Sequence, residues 1–478
     1  MLNTLRKFKK PSFNFVALSG IVILTIMAVY PLIAECTYQK RIVVQGNLTG
    51  DQACSPQTLD YDGCSSLGSI LHCLKAEGSF YRPDRAPGSP VYTLICAFML
   101  FWVQRFFGLG HEISFLNYFS LIFSLFSAVI LYSKIKKMGA DWRLNVLGCL
   151  AFSLHPLFLW HSFSMVEDAF ALFLMMLAWK TAEKKEMKMF SLVAVAMAVG
   201  SKFSSIGLLP LVLTEFLDKE KTGSFKKLAG SLLKPLLAVF VLSFLFILPA
   251  LASVGMNPFR FYATDLYGTK SALQRAEIGW FLIRTTILWW IPAGIFLILQ
   301  YIKTILKTKS FRLIEKIDVL IFCLFVFALA PVFWGGPVFL LIGAVVFRFY
   351  FAGMKADSEQ MFIFWRELFI ILSFAFALFF VVLYPFSRSI CYFALIPGII
   401  LLKKRFQGLV LWFFIAAFTF FPMFHYIQLT AKKLLIHKQG YYWALKEKAV
   451  SHYNDYGFVF SPKSEMYEFY FPWVRSRE

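Results

Sequence analysis

The sequence predicts an all-α polytopic membrane protein, a bundle of about 13 transmembrane helices, and three observations lead there. Hydrophobic residues fill 59% of the 478 positions and charged residues only 16%, with 57 Phe and 12 Trp, so a soluble domain could not hide its apolar surface. Apolar runs of about 15 to 25 residues recur along the chain, the length a helix needs to cross a ~30 Å hydrocarbon core. Basic residues gather in short clusters between those runs. Within lipid every peptide group needs an internal partner, which leaves helices as the reading of such runs.

The first run, 13–35, "FNFVALSGIVILTIMAVYPLIAE", follows the basic "RKFKK". It is too long for a typical signal-peptide core and lacks a convincing cleavage site, so it reads as a retained first helix. Further helices are expected at 115–133, 144–162, 168–182, 189–200, 203–217, 233–252, 280–302, 317–333, 336–350, 361–384, 389–402 and 407–425. The loops at 1–12, 134–143, 183–188, 218–231, 303–316, 351–360 and 403–405 hold 24 Lys and Arg in 69 residues. The longer segments 36–88, 253–279 and 425–478 hold 16 in 134. Lysine and arginine favour the cytoplasmic side. The N-terminus is therefore expected in the cytoplasm and the long segments outside, in the periplasm or beyond the cell, with the whole chain in the inner (cytoplasmic) membrane. Residues 1–425 form one expected transmembrane module, and 426–478 a small external tail or subdomain.

The run "VYTLICAFMLFWVQRFF", 91–107, is apolar enough to cross, yet counting it would invert every later basic cluster. It is read as an interfacial helix within 89–107, against the alternative of an ordinary crossing. Helices 189–200 and 203–217 are short and meet at "GSKFSS". Such a pair lines a cavity, or is extended by its flanks into plain crossings.

Net charge is +21, and the helix-flanking clusters account for most of it. There is no glycine-rich phosphate loop, no CxxC pair and no zinc-ligand spacing, so nucleotide, redox-motif and zinc-finger readings fall away. Four of the eight cysteines (Cys36, Cys54, Cys64 and Cys73) lie at or within the first external segment. An oxidising exterior favours a disulfide there, in any of three pairings, with free thiols as the alternative.

The chemistry-bearing residues lie on the expected outer face. The first external segment, 36–88, reads "LDYDGCSSLGSILHCLKAEGSFYRPDRAPGSPVY" toward its end, with a short helix beginning near Asp62. At a helix N-terminus a carboxylate is favoured as an anion and can serve as a base, or is simply an N-cap. Asp60 lies two residues earlier. After helix 144–162 comes "HPLFLWHSFSMVEDAFALFLMML", which sets His161, Glu167 and Asp168 at the outer boundary. Ionisable groups at such depth are costly and tend to be functional, the rival being a boundary marker in water. Lys202 at the tip of the short pair, Arg388 in "SRSICYFALIP", and Arg82 and Arg85 in "RPDRAPGSP" supply cations. Each alone suits snorkelling to headgroups. Acids and cations together at one boundary suit a phosphate-bearing lipid whose attached group is transferred.

The order of these features resembles the GT-C glycosyltransferases, in the bacterial branch related to protein O-mannosyltransferases and lipid A aminoarabinose transferases. The matching stretches are Asp62 with "RAPGSP", "HPLFLWHSFSMVED" with Glu167, "GSKFSSIGLLPL" with Lys202, and "RSICYFALIP" with Arg388 and Pro397. They span about residues 10 to 425. The sequence departs from the family pattern at Ser89, where a tyrosine is usual, and at Ser66, where an aromatic often follows the loop acid. The adjacent acid pair of the O-mannosyltransferases is replaced by Asp60 and Asp62 around Tyr61.

The resemblance implies a polyprenyl-phosphate-sugar donor and an inverting transfer to an acceptor protein, lipid or glycan outside. Asp62 is then the general base, with Asp60, Asp168 and His161 as secondary candidates. Glu167 positions acceptor or sugar hydroxyls, and Arg82, Arg85, Lys202 and Arg388 hold the phosphate. No cofactor is required, while Asp62 and Glu167 together suit a divalent cation such as Mg²⁺ or Mn²⁺. The competing class, a flippase or transporter of lipid-linked sugar without chemistry, predicts paired internal repeats, and none is evident. Nothing points to nucleic acid.

Overall fold

The computed structural model describes residues 89–107, 112–138, 142–154, 167–218 and 225–254. It adds positions at 19–23, 25, 26, 66, 69, 70, 73, 74, 81, 158, 161, 162, 362–376 in part and 393–400 in part. The ordered elements among these are helical: α1 Pro90–Phe107, α2 Glu112–Lys137, α3 Trp142–Ser153, α4 Glu167–Thr181, α5 Lys188–Ser201, α6 Leu209–Leu213 and α7 Phe225–Val254. The expected helices at 280–302, 317–333, 336–350 and 407–425, and the tail 426–478, lie outside the described residues.

Two compact units divide the chain: Met1–Phe173 with Pro249–Pro258 and Met423–Glu478, and Leu174–Leu248 with Phe259–Pro422. In the first, α1 opens with proline, whose fixed φ and missing N–H suit the first helical position. Ser89 just before it accepts the Thr93 N–H through its carbonyl at 2.9 Å, and its own N–H donates to the Tyr81 hydroxyl at 3.0 Å. That bond ties together the two ends of "RPDRAPG", between two buried residues. α1 packs on α2, and α2 on α3, where the Cys149 thiol donates to the Ala128 carbonyl at 3.4 Å.

Phenylalanines knit α2 to the start of α4. Phe123 lies 5.0 Å from Phe170 and 4.8 Å from Phe173 between ring centroids, and Phe119 lies 6.0 Å from Phe170. Aromatic pairs of this kind contribute about 0.5–1.5 kcal/mol beyond their buried area. That matters most where lipid removes the hydrophobic drive between helices.

Two boundaries differ from the sequence reading, both through proline. The helix expected over 144–162 gives α3, which ends at Ser153 with a turn at Leu154. Pro156 follows, and the residue before a proline is pushed out of helical geometry. In the second unit, the helix expected over 203–217 is instead a 3-10 segment, Phe203–Leu208, leading into the single turn α6 with Pro210 at its start. The missing proline N–H lets the tighter coil pass into α6 without losing a bond. Irregular backbone here is met by protein, since the Ser373 hydroxyl donates to the Gly207 carbonyl at 2.9 Å.

Two described helices are long and apolar enough to cross a membrane: Phe115–Lys137, 23 residues, and Lys227–Ala252, 26 residues. α7 exposes Leu233, Leu237, Phe240, Phe244 and Leu248, a face suited to acyl chains. α1 buries Tyr92, Cys96 and Leu100 on one side and exposes Phe98, Phe101, Trp102 and Phe106 on the other.

Candidate active site

The N-terminus of α4 is where the described candidates gather. Glu167 and Asp168 occupy its first turn, where the positive end of the helix dipole meets their charge. Both are only 3% exposed, as is His161. His161 Nδ1 lies 3.6 Å from Asp168 Oδ2, an ion-pair geometry when the imidazole is protonated. The Ser66 hydroxyl donates to Glu167 Oε2 at 3.5 Å across 101 residues of chain. A residue of segment 36–88 therefore reaches the α4 carboxylate directly.

Tyr92 of α1 completes the surroundings. Its ring packs 6.1 Å from Phe170, one turn after Glu167. Burial, reinforced by the nearby Cys96 and Glu167, holds its hydroxyl well above the ordinary phenol range. Cys96 beside it is likewise pushed up by burial. A tyrosine in that state is a neutral group that both donates and accepts hydrogen bonds. It lies within hydrogen-bonding range of Ser120 and the Cys96 thiol.

On neighbouring α2, Asn117 Nδ2 and Ser124 Oγ are buried without a hydrogen bond among the described residues, whereas Ser127 on the same helix turns back to the Phe123 carbonyl at 2.9 Å. Sequence reasoning missed them. The available signal was the spacing of polar residues in "LNYFSLIFSLFS", three to four apart in an apolar run.

The remaining candidates are placed as follows. Lys202 belongs to the second unit. It is the extended residue between α5 and the 3-10 segment (φ −149°, ψ 110°), its N–H bonded to Ala198 and its carbonyl to the Ser205 N–H. Asp60, Asp62, Arg82, Arg85 and Arg388 lie outside the described residues, as do Cys36, Cys54 and Cys64. Pro397 is helical and buried. Among the described residues, no three His, Cys, Asp or Glu side chains come together as a metal-holding group. What the geometry brings together is Ser66, Tyr92, His161, Glu167 and Asp168, a buried cluster of two carboxylates, an imidazole and two hydroxyls. No protein-family model matches the chain, and neither the curated proteins nor the solved structures contain a match.

Proposed function

We propose that the protein is a membrane glycosyltransferase that moves a sugar from a polyprenyl-phosphate donor to an acceptor on the external face. The observation that carries this reading is the buried Glu167 carboxylate, reached by Ser66 from the same external segment that holds Asp62. A carboxylate so enclosed is costly unless its charge is used, and hydroxyl ligands are what it is equipped to accept. The sequence separation of Asp62 and Ser66 is one helical turn, which suits two side chains of one helix face serving one site.

In the proposed reaction Asp62 takes the proton of the acceptor hydroxyl as its oxygen forms a bond to the anomeric carbon. The bond from that carbon to the phosphate oxygen breaks, its electrons leave with the lipid phosphate, and the configuration inverts. Arg82, Arg85, Lys202 and Arg388 stabilise the departing phosphate, and Glu167 orients hydroxyls of sugar or acceptor. The cations suffice for a lipid monophosphate leaving group, and a divalent ion at Asp62 and Glu167 is compatible with the scheme but not needed by it. Loss of the protein should make one polyprenyl-phosphate sugar accumulate, read by mass spectrometry of the lipid extract. Asp62→Asn should reproduce that accumulation while inserting normally. Retained transfer by Asp62→Asn in proteoliposomes rejects the role of the base.

The second reading, a lipid-linked-sugar flippase, draws on the buried His161–Asp168 pair, since such pairs also serve proton relays in transporters. Movement of the lipid between leaflets with its sugar still attached would favour it.

A further inference from the structure

A hydroxyl in an apolar helix commonly turns back on its own backbone. Ser127 donates to the Phe123 carbonyl, Ser162 to Phe158, Thr181 to Leu177 and Ser201 to Met197, each four residues earlier. Ser373 reaches elsewhere. It is fully buried, and it is the one polar side chain between Glu367 and Tyr384. Its hydroxyl donates across 166 residues of chain to the Gly207 carbonyl at 2.9 Å.

Gly207 is where a donor is wanted. In a 3-10 coil each carbonyl accepts from the N–H three residues on. Lys202 takes the Ser205 N–H at 3.0 Å, and Ile206 takes that of Leu209. For Gly207 the residue three on is Pro210, which has no N–H to give. The Ser373 hydroxyl fills that gap. The coil it braces runs six residues, Phe203–Leu208, where runs beyond three or four are uncommon.

At the other end of the coil stands Lys202, in the same unit as Gly207 and Ser373. Its N–H closes α5 on the Ala198 carbonyl at 2.8 Å, and its own carbonyl opens the coil. The lysine is thus tied by its backbone to both elements, and a change in the coil carries it along. A relaxation of six residues from ~2.0 to ~1.5 Å rise each would shorten the coil by about 3 Å. At a positioned group, about 1 Å of misplacement can cost up to about a hundredfold.

We propose that Ser373 is a positioning residue for Lys202: by supplying the donor that Pro210 lacks, it holds the 3-10 coil and with it the lysine. The service of that lysine to a lipid phosphate rests on the glycosyl-transfer reading, while the hold on the coil does not. Two readouts on the full-length protein in nanodiscs separate them. The first is amide hydrogen exchange across 202–209 without ligand. Ser373→Ala should speed it about tenfold, and adding Pro210→Ala, which restores an N–H opposite Gly207, should slow it again.

The second readout is binding of polyprenyl phosphate carrying no sugar. Ser373→Ala and Lys202→Ala should each weaken it about tenfold or more, and the double variant should bind no worse than Lys202→Ala, since both changes act through one group. Unchanged exchange in Ser373→Ala, or no recovery with Pro210→Ala, overturns the proposal. So does a loss of binding that adds in full to that of Lys202→Ala, or Ser373→Ala that binds like wild type where Lys202→Ala does not, because Ser373 would then be a structural clasp alone. Faster exchange in Ser373→Ala, with polyprenyl phosphate indifferent to both residues, keeps the hold on the coil and removes Lys202 from the transfer scheme.

Discussion

Ser66 and Ser89 are two of the positions at which the sequence departs from the pattern noted above, and both take part in hydrogen bonds. Ser66 donates to Glu167, and Ser89 donates its N–H to Tyr81 while leading into α1. The Ser66 bond runs through the side chain, whereas the Ser89 bond runs through the backbone N–H, which any residue but proline would supply. Tyr81→Phe tests the second case cleanly, because it removes the acceptor and keeps the ring. The buried Ser89 N–H would lose its partner at a cost of about 1–3 kcal/mol, read as a lowered unfolding temperature in detergent. An unchanged temperature would mean that the bond contributes nothing to holding Tyr81 against Ser89.

At the scale of elements, α7 offers a sharp distinction between water and lipid as its surroundings. Phe240 lies near the middle of the Lys227–Ala252 stretch and is 70% exposed. On a water-facing surface Phe240→Arg would change stability by less than about 0.5 kcal/mol. At the centre of a membrane-spanning helix it should cost about 2.5–3.5 kcal/mol of insertion free energy. Glycosylation mapping of α7 in a translocation assay separates the two, and undiminished insertion of the variant would remove α7 from the spanning set. Helix ends were the less legible part of the elements. The apolar runs located α2, α4, α5 and α7 within a few residues, except that α7 begins eight residues early. They did not foresee that α3 stops at Ser153 or that Phe203–Leu208 coils as 3-10, because hydropathy is blind to the backbone constraints of Pro156 and Pro210.

For the whole molecule, the testable quantity is orientation. The basic clusters predict the segment after α2 in the cytoplasm and the segment after α7 outside. Alkaline phosphatase fused after Met138 should be inactive, and fused after Val254 it should be active, since the enzyme matures only outside the cytoplasm. The reverse pair would make α1 a crossing helix instead of an interfacial one. Its aromatic outer face, with Trp102 and Phe106 stacked 6.0 Å apart, is compatible with either position, so length and hydropathy do not decide between them.

Read alone, the sequence determined the helical character of the chain, the approximate place of its apolar segments and the choice of Glu167, Asp168 and His161 as unusual. Those follow from composition and from ionisable residues set in apolar runs, which are properties of neighbours in the chain. Only the tertiary structure decided that Ser66 reaches Glu167, that His161 faces Asp168, and that Tyr92 and the polar face of α2 stand beside them. Such contacts join residues up to 101 positions apart. They depend on how rings such as Phe119, Phe123 and Phe170 interlock, and helical periodicity within one segment carries no record of that.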